Sequence, residues 1–328
     1  MNIYVNIQND ARGKSFITDN IKKRLDTIGN VKYNNETYPL SGESFREAAK
    51  GCEVIITGWG QPCLYTPELA GAKLIVHTGG TVGGIVDLSV FDAGVTVISG
   101  NDMYAESVAE GVLSYILSAL RNLRDHENDL RNGKWKWDVK TEGLIGRSVG
   151  IISLGNVSKK LIPLLKLFTD DIKVYSTHPS EKTAAEYGFE YASLDDIFTS
   201  CDIVSVHTAK NDETYHMINK RHFDMLKDGA LFVNTSRGAV IDEAALAKAL
   251  KENRFSAVLD VYEKEPLPSD SPLLKLQNVF LFPHIAGPTF DRREGITNAL
   301  IDDIIRFKTG GQLKNIITKE TAAKMTIS

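Results

Sequence analysis

Short runs of β-branched and other apolar residues recur along the chain, separated by stretches with helical spacing. The alternation predicts βαβ units and parallel sheets, an α/β fold. Early strands are expected at residues 3–7, 54–57, 74–77 and 95–98, with helices around 44–50 and 86–92. A long helix is expected over residues 105–124, because Val108, Val112, Tyr115, Ile116 and Leu120 share one side. A polar stretch with Trp135 and Trp137 follows, up to residue 140. A second series places strands at 149–154, 172–176, 203–207, 230–234, 257–260 and 279–282. A closing helix is expected over 291–307, ended by Gly310-Gly311. Two βαβ series joined by one long helix predict two Rossmann-like domains.

At 328 residues the chain has room for about two domains. The net charge of −4 gives no basic footprint, so nucleic acid is not an expected partner. Acidic substrates then need local cations. Cys52, Cys63 and Cys201 lack metal-like spacing and read as reduced thiols of a cytoplasmic protein. No metal site is expected, since the seven histidines are scattered. The start alternates like a strand and not like a signal peptide, and no apolar run approaches a membrane span, so no membrane partner is expected.

Three segments carry candidate chemistry: Asn234-Thr235-Ser236-Arg237-Gly238, Asp260-Val261-Tyr262-Glu263-Lys264-Glu265-Pro266 and Phe282-Pro283-His284-Ile285-Ala286-Gly287. Each begins in or just after an apolar run. Together they supply a guanidinium, a carboxylate and an imidazole, as reduction of a 2-oxo acid requires. A surface pairing of Arg237 with Asp242 or Glu243 is the structural alternative.

The segment Ser153-Leu154-Gly155-Asn156-Val157-Ser158 lies between an expected strand and an expected helix, where a dinucleotide-binding turn belongs. Two of the three fingerprint glycines are serines; only the middle one, Gly155, remains. Pro163 interrupts the expected helix. Ser176, Thr177 and His178 end the next strand with no acid to grip the ribose hydroxyls of NAD and no arginine to neutralise the extra phosphate of NADP. The balance favours NAD(H), with NADP(H) open.

In order, spacing and flanks, these segments resemble the D-isomer-specific 2-hydroxyacid dehydrogenase family. The resemblance implies a discontinuous N-terminal substrate (catalytic) domain, residues 1–100 and 288–328, completed by the C-terminal helix, and a dinucleotide-binding domain over 101–287. It implies an oxidoreductase that moves a hydride between a nicotinamide cofactor and a 2-oxo or D-2-hydroxy acid. Arg237 would clamp the substrate carboxylate, His284 would exchange the proton, and Glu265 would orient the imidazole, with Glu263 left solvated. Gly155, Asn156 and Val157 would face the pyrophosphate, and Ser176, Thr177 and His178 the ribose. His207 and Thr208 would lie near the adenosine; Thr235, Ser236, Asp260 and Gly287 would lie near the nicotinamide. The turn Gly79-Gly80-Thr81 would grip the substrate carboxylate, and Trp59 would wall its pocket. A homodimer through residues 105–140 is implied. Two other readings stay open here: a dinucleotide-binding regulator without turnover, and a formate dehydrogenase-like enzyme, in which a glutamine usually stands where Glu265 does.

Overall fold

The computed structural model describes residues 1–69, 71–136 and 140–325. Trp137 lies outside the described residues. The chain divides into two compact units, Met1–Tyr104 with Pro288–Ser328, and Ala105–Gly287.

In the first unit a five-stranded parallel sheet has the order β2-β1-β3-β4-β5. Its strands are β1 (Asn2–Asn6), β2 (Asn30–Tyr33), β3 (Val54–Thr57), β4 (Leu74–His77) and β5 (Thr96–Ser99). Successive side chains point to opposite faces, so Ile3 and Val5 enter one core cluster and Tyr4 the other. Both faces are covered, which is why β3 and β4 are buried throughout and apolar up to their last residues, Thr57 and His77. The C-terminal helix Phe290–Thr309 supplies Ile296, Leu300, Ile301 and Ile304 to the face formed by Ile3 and Val5. It therefore completes this unit. Gly310 ends it in the left-handed conformation. Buried Asp303 then holds the outgoing chain, accepting from the N–H groups of Lys314 at 3.0 Å and Asn315 at 2.8 Å.

The second unit holds a seven-stranded parallel sheet in the order β12-β11-β10-β9-β6-β7-β8. Its strands are β6 (Val149–Ile152), β7 (Ile172–Tyr175), β8 (Glu190–Tyr191), β9 (Ile203–Val206), β10 (Leu231–Asn234), β11 (Ser256–Leu259) and β12 (Val279–Leu281). The connecting helix differs from expectation. It runs Asn101–Leu120, then the chain turns through Asn122 at φ 49° and a second helix covers Leu123–Arg131. Asparagine tolerates that left-handed turn. Arg124 anchors the polar helix: it donates to the carbonyls of Val279 (2.9 Å) and Gln277 (2.8 Å) and lies 4.3 Å from the centre of the Phe280 ring.

The strand order reverses between β6 and β9, and in open parallel sheets that point opens a ligand crevice at the strands' carboxyl ends. The turn after β6 stands there. Ser153, at the first fingerprint position, has φ 81°, a conformation that favours glycine. Ser158, at the third, is fully buried, and its hydroxyl donates to the Ser153 carbonyl at 2.6 Å. One serine thus braces the backbone that the other strains. The helix Asn156–Leu165 continues through Pro163 and ends two residues later, so the missing hydrogen bond falls in its last turn. Ser153→Gly should raise the urea-unfolding free energy by about 0.5–1 kcal/mol, the left-handed cost less the added freedom of the unfolded chain. An unchanged or lowered midpoint would refute strain at this turn.

Candidate active site

Adjacent strands β10, β11 and β12 deliver the three candidate groups at their carboxyl ends. After β10, Asn234 folds the next residues into a tight turn. Its Oδ1 accepts from the Ser236 N–H (3.0 Å) and hydroxyl (2.8 Å), and its Nδ2 donates to the Arg237 carbonyl at 3.1 Å. Gly238 follows because nothing larger fits: a Cβ there would lie 1.9 Å from the Tyr262 carbonyl carbon. The Arg237 segment is thereby pressed against the segment that carries Glu265.

Arg237 is half-buried, and Nη1 donates to the Ser236 carbonyl at 2.7 Å. Among the described residues it pairs with neither Asp242 nor Glu243. Asp242 caps a helix through the Ala245 N–H, and Glu243 exchanges hydrogen bonds with Glu263. Burial lowers the Arg237 pKa, and the Glu265 carboxylate opposes that shift. A partly desolvated cation of this kind interacts strongly with an incoming carboxylate.

His284 Nδ1 lies 2.7 Å from Glu265 Oε2, while Tyr262 N donates to Oε1 at 3.1 Å. Burial alone would raise the Glu265 pKa. The contact with His284, the Tyr262 N–H and the Arg237 charge outweigh it and hold the carboxyl below its ordinary range. The ionised Glu265 therefore fixes Nδ1 and leaves Nε2 for a substrate. Glu263 is exposed, as expected, and is hydrogen-bonded as well. Its Oε1 lies 2.9 Å from His216 Nε2 and accepts from Glu243 N at 2.9 Å, because the bend of the segment turns it back onto the start of a neighbouring helix.

His284 has φ 56°, uncommon for a side-chain-bearing residue. Asp260, buried at the end of β11, holds it there. Its Oδ1 accepts from Ile285 N and its Oδ2 from Ala286 N, both at 2.8 Å, and Tyr115 OH donates to Oδ1 at 3.2 Å. The Tyr115 ring stacks on Phe282 at 4.0 Å, and Tyr262 OH donates to the Phe282 carbonyl at 2.8 Å. Burial raises the Asp260 pKa, and these hydrogen bonds act against it. Asp260 is thus committed to the His284 loop, a role with no signature of its own in the sequence. Tyr115, Tyr262 and Asn234 act in the same structural way.

At the reversal point, Gly155 caps the helix Asn156–Leu165, whose first turn includes Asn156 and Val157. A Cβ on Gly155 would meet nothing within 4 Å. His207 N donates to the Ile152 carbonyl at 2.9 Å, and its Nε2 lies 2.9 Å from Ser205 Oγ. Burial pushes the His207 pKa down to about 4, so this ring is neutral. Thr208 Oγ1 also donates to Ile152 O, at 3.4 Å. Ser176 Oγ accepts from His178 N at 3.1 Å, and Thr177 Oγ1 lies 2.9 Å from His178 Nδ1. Thr235 Oγ1 is buried without a hydrogen-bond partner, and Gly287 follows Ala286 half-buried. Open space at Gly155 beside the start of a helix, and an orphaned hydroxyl, fit a dinucleotide.

In the first unit, Gly79, Gly80 and Thr81 are buried at the end of β4. A Cβ on Gly79 would strike the His77 ring at 2.3 Å, and one on Gly80 would press Tyr104 at 3.2 Å. Of the N–H groups that follow, Val82 donates to Met325 Sδ (3.4 Å) and Gly83 to Thr81 Oγ1 (3.1 Å). Two N–H groups just after the turn expected to grip the substrate carboxylate are thus taken by internal acceptors. Trp59 Nε1 donates to Tyr104 OH at 2.8 Å, which gives the turn an aromatic wall.

Residues 113–286 match the family model of the D-isomer specific 2-hydroxyacid dehydrogenase, NAD binding domain. The chain is 32% identical over 291 residues to a glyoxylate reductase of Korarchaeum cryptofilum, covering 86% of this chain and 87% of the relative. It is 32% identical over 248 residues to a D-3-phosphoglycerate dehydrogenase of Archaeoglobus fulgidus, covering 75% of this chain and 47% of that one. D-2-hydroxyisocaproate dehydrogenase superposes with a TM-score of 0.81 at 24% identity, covering 97% of this chain and 100% of the other. Apo D-lactate dehydrogenase from Escherichia coli gives 0.75 at 25% identity, covering 97% and 100%. The chain belongs to the D-isomer specific 2-hydroxyacid dehydrogenase family and is an NAD(P)-dependent oxidoreductase.

Proposed function

We propose that the chain reduces 2-oxo acids to D-2-hydroxy acids, with NAD(H) as its working cofactor. The carrying observation is the 2.7 Å contact between His284 and an ionised Glu265 on the strand ends that also deliver Arg237. The nicotinamide, when bound, supplies or accepts the hydride. Arg237 holds the substrate carboxylate and stabilises negative charge on the carbonyl oxygen. His284, protonated, gives the Nε2 proton to that oxygen; in oxidation the neutral ring takes the hydroxyl proton. Glu265 keeps the ring oriented, and its acid favours hydroxy acids over the formate reading. Gly80 and Thr81, with Gly79, offer backbone donors to the carboxylate.

For the cofactor, Gly155, Asn156 and Val157 meet the pyrophosphate, while His207 and Thr208 border the adenosine. Thr235, Ser236, Asp260 and Gly287 border the nicotinamide. Ser176, Thr177 and His178 meet the ribose with hydroxyl and imidazole groups only. We also propose a homodimer through residues 105–140, supported by exposed Leu123, Leu130 and Trp135. Three free thiols suit a reducing, cytoplasmic setting.

His284→Gln should lower kcat for 2-oxo acid reduction by about 10²–10⁴-fold, while the NADH dissociation constant changes little. Stopped-flow turnover close to that of the unmodified enzyme would rule out His284 as the proton donor. Ser176→Asp should shift the NADH/NADPH ratio of kcat/KM towards NADH by about tenfold, or 1.4 kcal/mol, through repulsion of the extra phosphate. An unmoved ratio would show that Ser176 does not face the ribose.

A further inference from the structure

Two arginines of the first unit have no role in the chemistry above. Arg12 lies on the helix Ala11–Phe16 that follows β1, and Arg293 lies near the start of the helix Phe290–Thr309. Arg293 Nη1 donates to Ser15 Oγ at 3.2 Å, and Ser15 Oγ donates to the Arg12 carbonyl at 2.6 Å. The Arg293 guanidinium is held between Phe16 and Phe290, with its carbon 5.6 and 5.7 Å from the ring centres. Its Nε donates to the Pro288 carbonyl at 3.2 Å. Among the described residues neither arginine has a carboxylate partner. Asp10, the acid nearest Arg12 in sequence, accepts from Gly13 N instead.

Both guanidiniums are close enough to Tyr104 for their charges to act on its hydroxyl. Burial pushes the Tyr104 pKa up to about 12 despite the Trp59 contact and the two cations, so the phenol stays neutral and leaves both charges uncompensated. The base of the same ring packs on Gly80. Tyr104 therefore links the turn assigned to the substrate carboxylate, through the core cluster that also holds Phe16 and Ile296, to the surroundings of Arg293. Arg12, Trp59, Gly80 and Tyr104 all follow carboxyl ends of parallel strands, the edge where ligands bind.

We propose that Arg12 and Arg293 form a second anion subsite, which selects 2-oxo acids bearing a terminal carboxylate or phosphate. Resting on the oxidoreductase reading, this names its substrate class. The guanidinium forks suit either anion, and Arg293 is prearranged by its aromatic neighbours.

Steady-state NADH oxidation should be compared for 2-oxoglutarate against 2-oxopentanoate, and for phosphohydroxypyruvate against hydroxypyruvate. In one pair the member with the second anionic group should exceed its partner in kcat/KM by about tenfold or more, and the pair that does so identifies the anion. Arg12→Gln, at an exposed position, should bring that ratio near one, mainly through KM. Arg293→Gln should act likewise; circular dichroism checks its fold, since Arg293 also braces the helix. A wild-type preference for the monoanionic acids, or a ratio that Arg12→Gln leaves in place, overturns the subsite alone. Reduction of none of the four acids contradicts the underlying reading, and the subsite with it.

Discussion

The His284 loop depends on one buried carboxylate. Removing an ionised Asp260 from water costs several kcal/mol unless hydrogen bonds replace the hydration. Here the replacements are two backbone N–H groups, from Ile285 and Ala286, and the Tyr115 hydroxyl. Charge-assisted bonds of this kind are roughly twice as strong as neutral ones. They offset the left-handed conformation of His284, which costs about 1–3 kcal/mol for a residue with a side chain. The imidazole is thus aimed by a backbone clamp behind it and by Glu265 beside it. Neither alone would suffice: the clamp sets where the ring starts, and the carboxylate sets which nitrogen is free.

The rest of the site is coupled to this clamp through close backbone contacts. Gly238 lets the Arg237 segment lie against Tyr262, and Tyr262 N reaches Glu265. Tyr262 OH also reaches the Phe282 carbonyl, two residues before His284. A shift in any of these segments moves the guanidinium, the carboxylate and the imidazole together. The turn after β6 shows a similar economy. Ser153 holds a glycine-like conformation, and Ser158 ties down the carbonyl that this conformation exposes.

Much of this was legible in the sequence. The strands of both sheets were marked by apolar runs, because sheets covered on both faces need continuous hydrophobic residues. Arg237, Glu265 and His284 stood out because their flanks are specific. The helix Leu123–Arg131 was hidden, since Leu123 and Leu130 are its only apolar residues and Arg124 fixes it through distant carbonyls. The edge strand Asn30–Tyr33 was likewise too polar and short to register. Asn234, Tyr115 and Tyr262 were invisible for a different reason. Tyr115 meets the Asp260 side chain and Tyr262 the Phe282 carbonyl, both distant in sequence, while Asn234 bonds only to Ser236 and Arg237 as any tight turn would. Glu263 looked like a spare acid because its partner, His216, precedes it by a long stretch of chain.

Amide hydrogen exchange at Ile285 and Ala286 probes the clamp most directly. With Asp260 intact, both amides should be protected nearly as well as those of the β11 core. In Asp260→Asn they should exchange far faster while β11 stays protected, and carbonyl reduction should fall with them. Fast exchange of both amides in the unaltered protein, or full reduction by a variant that has lost their protection, would contradict the claim that Asp260 positions His284.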